Sequence, residues 1–231
     1  MALPPTVIRT AQRLNRQLTR YFHRVEVVAA CTVPADGPAI IAANHISYLD
    51  PLLLQGSCPR FITWMMATDF YHLPIAHWFF KGVGAIPVQR SGRDLSATRA
   101  ALRALGAAQV LGLFPEGRIA PQRQLLPFQT GVALLAARSG APIVPVALEG
   151  TQRGQPLREA LLTPQTARVA FGQPLRWPAH DPAHPDLARI ADETQSAVAT
   201  MLATLQGHGL SERSAEGNIG VSARTGPITG S

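Results

Sequence analysis

The sequence predicts an α/β protein with a mostly parallel central sheet, helices on both of its faces and an amphipathic helix at the N-terminus. Short apolar runs alternate with helical patterns along most of the chain, and the runs are apolar at consecutive rather than alternate positions, as in strands covered on both sides. With 231 residues and 46% hydrophobic content the chain can bury a sizeable core. Three regions follow: a helix within 1–26, one main domain over 27–206 and a disordered tail over 207–231.

At the N-terminus Val7, Ala11, Leu14, Leu18 and Tyr21 recur at spacings of four and three, while Arg9, Arg13, Arg16 and Arg20 follow a four-three-four spacing of their own. This is a basic amphipathic helix, and it either lies in a bilayer interface or packs on the domain. Ala39 to Ala43 is entered from the turn residues Pro34, Asp36, Gly37 and Pro38, so it reads as a buried strand. Asp50-Pro51 then opens a helix through Leu52, Leu53 and Leu54, with Asp50 as its N-cap. Phe61 to Met65 reads as a strand, Pro74 to Lys81 as a short helix and Ala85 to Val88 as a strand. A helix from Asp94 to Leu105 stops at Gly106, and Val110 to Phe114 is the next strand. Gly131 to Arg138 is helical up to Ser139-Gly140, and Pro142 to Leu148 is a strand. Thr151 to Thr166 reads as irregular, Arg168 to Phe171 as a strand and Pro185 to Leu205 as a helix, and the glycines and charges beyond Gly207 offer no core face.

Composition narrows the function. Cys31 and Cys58 are too few for a disulfide scaffold and lack metal-ligand spacing, so they read as buried thiols with no assigned role. No stretch approaches the roughly 18 consecutive apolar residues of a spanning helix. The net charge of +7 suits a membrane surface or a phosphorylated ligand, and five of those charges, Arg9 to Arg24, precede the first acid, Glu26. Only one lysine, Lys81, is present, so arginine-rich usage also contributes to the basicity. Basic charge without a nucleic-acid motif argues against that partner.

The segment Asn44-His45-Ile46-Ser47-Tyr48-Leu49-Asp50 carries the candidate chemistry. In a straight helix five residues turn through about 500°, which would separate His45 from Asp50. A strand-to-helix loop removes that restriction, so Asp50 can fold back onto one imidazole nitrogen and leave the other as a proton acceptor. The alternative is that Asp50 caps its own helix and His45 is an ordinary loop residue.

Together with Gly84-Ala85-Ile86-Pro87-Val88-Gln89-Arg90, Phe114-Pro115-Glu116-Gly117-Arg118 and Ile143-Val144-Pro145-Val146, this segment resembles the glycerolipid acyltransferase family, whose best-known members are lysophosphatidate acyltransferases. The resemblance spans about Ala39 to Thr151. Many members place threonine before arginine after the Glu-Gly pair, whereas Arg118 follows directly here. The resemblance implies transfer of a fatty acyl group from acyl-CoA or acyl carrier protein to the free hydroxyl of the lysophospholipid lysophosphatidate, giving phosphatidate in phospholipid biosynthesis, at the cytoplasmic face of a membrane. Another lysolipid or amino-lipid acceptor, or a silent lipid-binding protein on the same fold, is the alternative.

In that reading His45 is the general base and Asp50 its orienter, with oxyanion donors expected from backbone amides at the helix start. Glu116 and Gly117 belong to the acceptor site, while Arg90 and Arg118 suit a phosphate through paired guanidinium donors. Arg118 could instead pair with Glu116, and Pro145 either shapes the site's wall or marks an edge strand. His72 and His77 are five apart, unlike paired helical zinc ligands, so they read as packing or surface residues. No metal or cofactor is called for, and no Gly-x-Ser-x-Gly elbow supports a serine acyl-enzyme.

Overall fold

The computed structural model describes residues 3–74, 76–89, 94–120, 124–151, 157–164, 166–177 and 186–219. Its strands are β1 (Glu26–Ala29), β2 (Ala39–Ala43), β3 (Ile62–Ala67), β4 (Ile86–Val88), β5 (Val110–Leu113), β6 (Ile143–Glu149) and β7 (Arg168–Phe171). Its helices are α1 (Pro5–Gln17), α2 (Asp50–Ser57), α3 (Thr68–Tyr71), α4 (His77–Gly82), α5 (Leu95–Gly106), α6 (Gly131–Ser139), α7 (Leu157–Leu162) and α8 (Leu187–Ile219). The expected strands and helices are all present, within a few residues of their expected ends except for the last helix, which runs beyond its expected end at Leu205. Three short elements, β1, α3 and α7, add to them.

The strands form one sheet in the order β1-β7-β6-β2-β5-β3-β4. β2 lies parallel to β5 and β6, and β3 parallel to β4 and β5. β7 is antiparallel to β6 and parallel to β1, so these two strands run against the other five. Both faces are covered, as the consecutive apolar positions require. Ala39, Ile41 and Ala43 of β2 join Leu53 and Leu54 of α2 in one cluster, whereas Ile40 and Ala42 join residues of α5, α6 and α8 in the other. Alternate side chains of one strand thus build two separate cores.

The start of this sheet is tied by Arg60, which lies just before β3. Its guanidinium donates to the carbonyls of Pro34 at 2.9 Å, Gly37 at 2.7 Å and Ala108 at 2.7 Å. Those carbonyls precede β2 and β5, so one side chain gathers the approaches to three neighbouring strands.

α1 docks on α2 and at the same time leaves its larger apolar side chains outside. Asn15 Nδ2 donates to Leu52 O at 2.9 Å, and Thr19, in the π-type turn of Leu18–Phe22, sits directly over Gly56, where any Cβ would collide with it. The large residues of the expected apolar stripe, Val7, Leu14, Leu18 and Tyr21, are exposed, Leu14 by 66% and Tyr21 by 69%. Trp78 on α4 is exposed by 65%, and Leu3 N donates to Gly82 O at 2.9 Å, which brings the start of the chain to the end of α4.

α8 corrects the expected disordered tail over part of its length. It passes Gly207 and reaches Ile219. A glycine costs a helix only about 1 kcal/mol, and Leu210, Glu212, Arg213, Ala215 and Glu216 favour helix. Residues 220–231 of that tail lie outside the described residues. Arg60→Ala should lower unfolding stability by about 2 kcal/mol, since three carbonyls lose a charged donor, and Arg60→Lys should recover part of it. A urea midpoint unchanged in Arg60→Ala would show that the tie contributes nothing.

Candidate active site

His45 follows the carboxyl end of β2, and Glu116 follows the carboxyl end of its neighbour β5. From β2 the chain crosses through α2 to β3, beyond β5; from β5 it crosses through α6 to β6, beyond β2. The two crossovers leave in opposite directions on opposite faces, which makes these strand ends a topological switch point. Such a switch point is where open parallel sheets receive ligands.

Asp50 is the first residue of α2 and is fully buried. Its carboxylate does not cap its own helix. Oδ2 turns back into the preceding loop and accepts from Ile46 N at 2.7 Å, Ser47 N at 2.8 Å and His45 Nδ1 at 2.9 Å. With Nδ1 donating to Asp50, His45 Nε2 carries the free lone pair, which is the tautomer a base requires. The His45 side chain keeps 16% of its surface exposed. Its ring stacks on Phe114 with centroids 3.9 Å apart and planes 12° apart, and Trp64 lies parallel to Phe114 at 5.3 Å.

Of the backbone amides near the start of α2, where oxyanion donors were expected without any being named, those of Ile46 and Ser47 are committed to Asp50. Leu49 N donates to Ser47 Oγ and Asp50 N to Ser47 O, so the start of α2 spends its donors on its own loop.

Glu116 holds His45 from the other side. Its Oε1 accepts from His45 N at 2.7 Å, its Oε2 accepts from Leu126 N at 2.8 Å, and the residue is 5% exposed. Burial pushes this carboxyl above its ordinary range, against the lowering effect of those two amides. Ala120 N donates to His45 O at 2.8 Å. The loop after β5 therefore grips both backbone groups of His45. Gly117 makes the tight turn that this needs: its φ is +72° and its N–H donates to Phe114 O at 3.0 Å.

Arg118 is exposed and, among the described residues, has no ion pair; in particular it does not pair with Glu116, whose oxygens serve backbone amides. Arg90 lies outside the described residues. Pro145 sits in β6, an interior strand, with Ala42 of β2 as its register partner, so it marks no edge. It accepts from Gly172 N at 2.8 Å. His72 and His77 stack on each other at 5.1 Å beside Tyr71. Among the described residues no group of three metal-binding side chains occurs.

Two contributors escaped the sequence reading of roles. Asn44 is buried and pairs with Leu148 twice, donating from Nδ2 to its O at 2.9 Å and accepting from its N at 2.8 Å, which fixes the end of β2 against β6. Phe114 shares a block with Glu116, so its proximity was visible, but its stacking on His45 was not.

The family model "Acyltransferase" matches residues 24–149, more than half of the chain. Among known proteins, the chain is 27% identical over 160 residues to a chloroplastic 1-acyl-sn-glycerol-3-phosphate acyltransferase of Brassica napus, covering 67% of this chain and 46% of that one. It is 26% identical over 171 residues to the 1-acyl-sn-glycerol-3-phosphate acyltransferase of Bacillus subtilis, covering 73% and 83%. The chain spans less than half the length of the plant relatives it matches. The crystal structure of the 1-acyl-sn-glycerophosphate acyltransferase PlsC from Thermotoga maritima has the same fold, with a TM-score of 0.67 at 20% identity over 86% of this chain and 83% of that one. The chain belongs to the acyltransferase family.

Proposed function

We propose that this protein transfers a fatty acyl group from a thioester, acyl-CoA or acyl carrier protein, to the free hydroxyl of lysophosphatidate, giving phosphatidate. The observation that carries this reading is the bond from His45 Nδ1 to buried Asp50, which leaves Nε2 free at the switch point of the sheet. The acceptor hydroxyl gives its proton to Nε2 as its oxygen attacks the thioester carbonyl carbon. The tetrahedral adduct then collapses, the C–S bond breaks and the leaving thiolate takes the proton back from the imidazolium. Asp50 holds the tautomer, and stacking on Phe114 holds the plane of the ring.

Arg118, with Arg90 as its companion in sequence, is assigned to the acceptor's phosphate. Glu116 and Gly117 shape the wall beside it, Glu116 as the brace of His45. The reading extends to a peripheral position at the cytoplasmic face of a membrane, supported by the basic α1 and the outward stripe of Val7, Leu14, Leu18 and Tyr21 that runs along it into the π-type turn.

His45→Ala should cut turnover roughly 10² to 10⁴-fold with the fold intact, because Glu116 and Ala120 hold the backbone rather than the ring. Asp50→Asn should also slow the reaction, since an amide can offer the wrong partner to Nδ1. Thioester consumption with circular dichroism as folding control measures both, and a near-normal rate in folded His45→Ala would remove the base.

Arg118→Ala should raise the Michaelis constant for lysophosphatidate and leave that for the thioester unchanged. A charge-assisted bond contributes about 1.5 to 3 kcal/mol, or roughly ten to a hundred-fold. Lysine should rescue part of the loss. Equal loss for both substrates would reject the phosphate assignment.

Replacing Arg9, Arg13, Arg16 and Arg20 by glutamine should weaken co-sedimentation with anionic vesicles, most clearly at low salt, because this attraction is screened over about 10 Å at 0.1 M. Activity on dispersed substrate should survive. Unchanged vesicle binding would make α1 a packing element alone.

A further inference from the structure

Cys31 and Cys58 are 27 residues apart in sequence and belong to different parts of the fold, yet their sulfurs lie 3.8 Å apart. Cys58 ends α2, where its N–H donates to Leu54 O, and it is 1% exposed. Cys31 follows β1 in a stretch without regular structure and is only half-buried, so solvent reaches it. Two thiols without further ligands do not make a metal site, and among the described residues no third ligand stands with them. Chemically, what remains open to a contacting pair, one buried and one reachable, is oxidation to a disulfide.

We propose that Cys31 and Cys58 are a modification site, at which a peroxide forms a reversible disulfide that staples the segment carrying His45 and Asp50. Cys31 attacks as thiolate: its sulfur takes one oxygen of the peroxide, the O–O bond breaks and hydroxide leaves. The Cys58 sulfur then attacks the sulfenic sulfur, and the hydroxyl leaves as water with the Cys58 proton. In sum, two thiols and one hydrogen peroxide give one disulfide and two waters. The asymmetry of the pair selects these roles: contact with the Cys58 sulfur holds the half-buried Cys31 down to about 7, while contact with Cys31 and burial push Cys58 up. A bond of about 2.05 Å requires the sulfurs to close by roughly 1.7 Å, which the loop around Cys31 can supply.

The closed loop would contain β2, the His45 loop and all of α2. Asp50 and Cys58 sit at opposite ends of α2, about 12 Å apart along its axis, so the staple constrains the segment without touching the imidazole. It acts by restricting the unfolded chain.

Treating the full-length protein with stoichiometric hydrogen peroxide should lower its intact mass by about 2 Da, join the Cys31 and Cys58 peptides in a non-reduced digest and raise Tm by roughly 5 to 10 °C. A dithiol reductant should reverse all three. The rate of mass loss should climb as pH rises through about 7, where Cys31 ionises. Cys31→Ser, at the half-buried position, should abolish the mass loss and the shift in Tm; Cys58→Ala tests the other partner, and the peptide map of the unsubstituted protein requires neither variant. Both thiols remaining alkylatable after peroxide, oxygen added to Cys31 without a joined peptide, or joined peptides only in a covalent dimer would each overturn the proposal.

Discussion

A carboxylate with no exposed surface needs donors around it, and this requirement on Asp50 organises the site. Removing such a charge from water costs several kcal/mol unless hydrogen bonds replace the hydration. Here Oδ2 alone accepts three, from the His45 ring and from the Ile46 and Ser47 amides. Those bonds curl the loop back over the first turn of α2, and Pro51 behind Asp50 has no N–H to compete for the same oxygen. Loop shape, helix start and imidazole tautomer are therefore consequences of one buried charge.

The second constraint comes from the sheet. Asp50 orients the ring, but the backbone of His45 is held by residues after β5, through Glu116 on its N–H and Ala120 on its carbonyl. β2 and β5 pair directly, with Ala42 opposite Leu113, so the two loops leave the sheet side by side. Asn44 fixes the same strand end against β6 on its other side. An imidazole placed by three strands is held more stiffly than one placed by its own loop.

Much of this was legible in the sequence because the central strands are apolar at nearly every position, Asp50-Pro51 opens α2, and glycines stop α5 and α6. The covered sheet and the β2-loop-α2 unit followed from those signals. What escaped depends on tertiary partners. β1, Glu26-Val27-Val28-Ala29, is short and exposed, and its partner β7 lies about 140 residues away. The antiparallel setting of β7 leaves no mark in a four-residue strand, and Pro145 reads as an edge signal although β6 is interior. At the site, spacing allowed His45 and Asp50 to meet but equally allowed Asp50 to cap its helix. Only the coordinates separate the two. Glu116 looked like a ligand for a substrate because nothing local reveals that its oxygens face the amides of His45 and Leu126.

The grip of the β5 loop on His45 also bears on how the protein is made. During synthesis β2 emerges with neither of its neighbours, since β5 begins 67 residues after its last residue and β6 a hundred after. The buried faces of Ile40 and Ile41 must wait, and pairing across such separations is slow because loop closure precedes any gain from contact. A nascent chain released before Glu116 would carry His45 and Asp50 and yet lack the brace. The geometry around His45 is thus incomplete in the N-terminal half until the sheet closes around it, which makes the arrival of β5 and its loop the moment at which this arrangement comes into being.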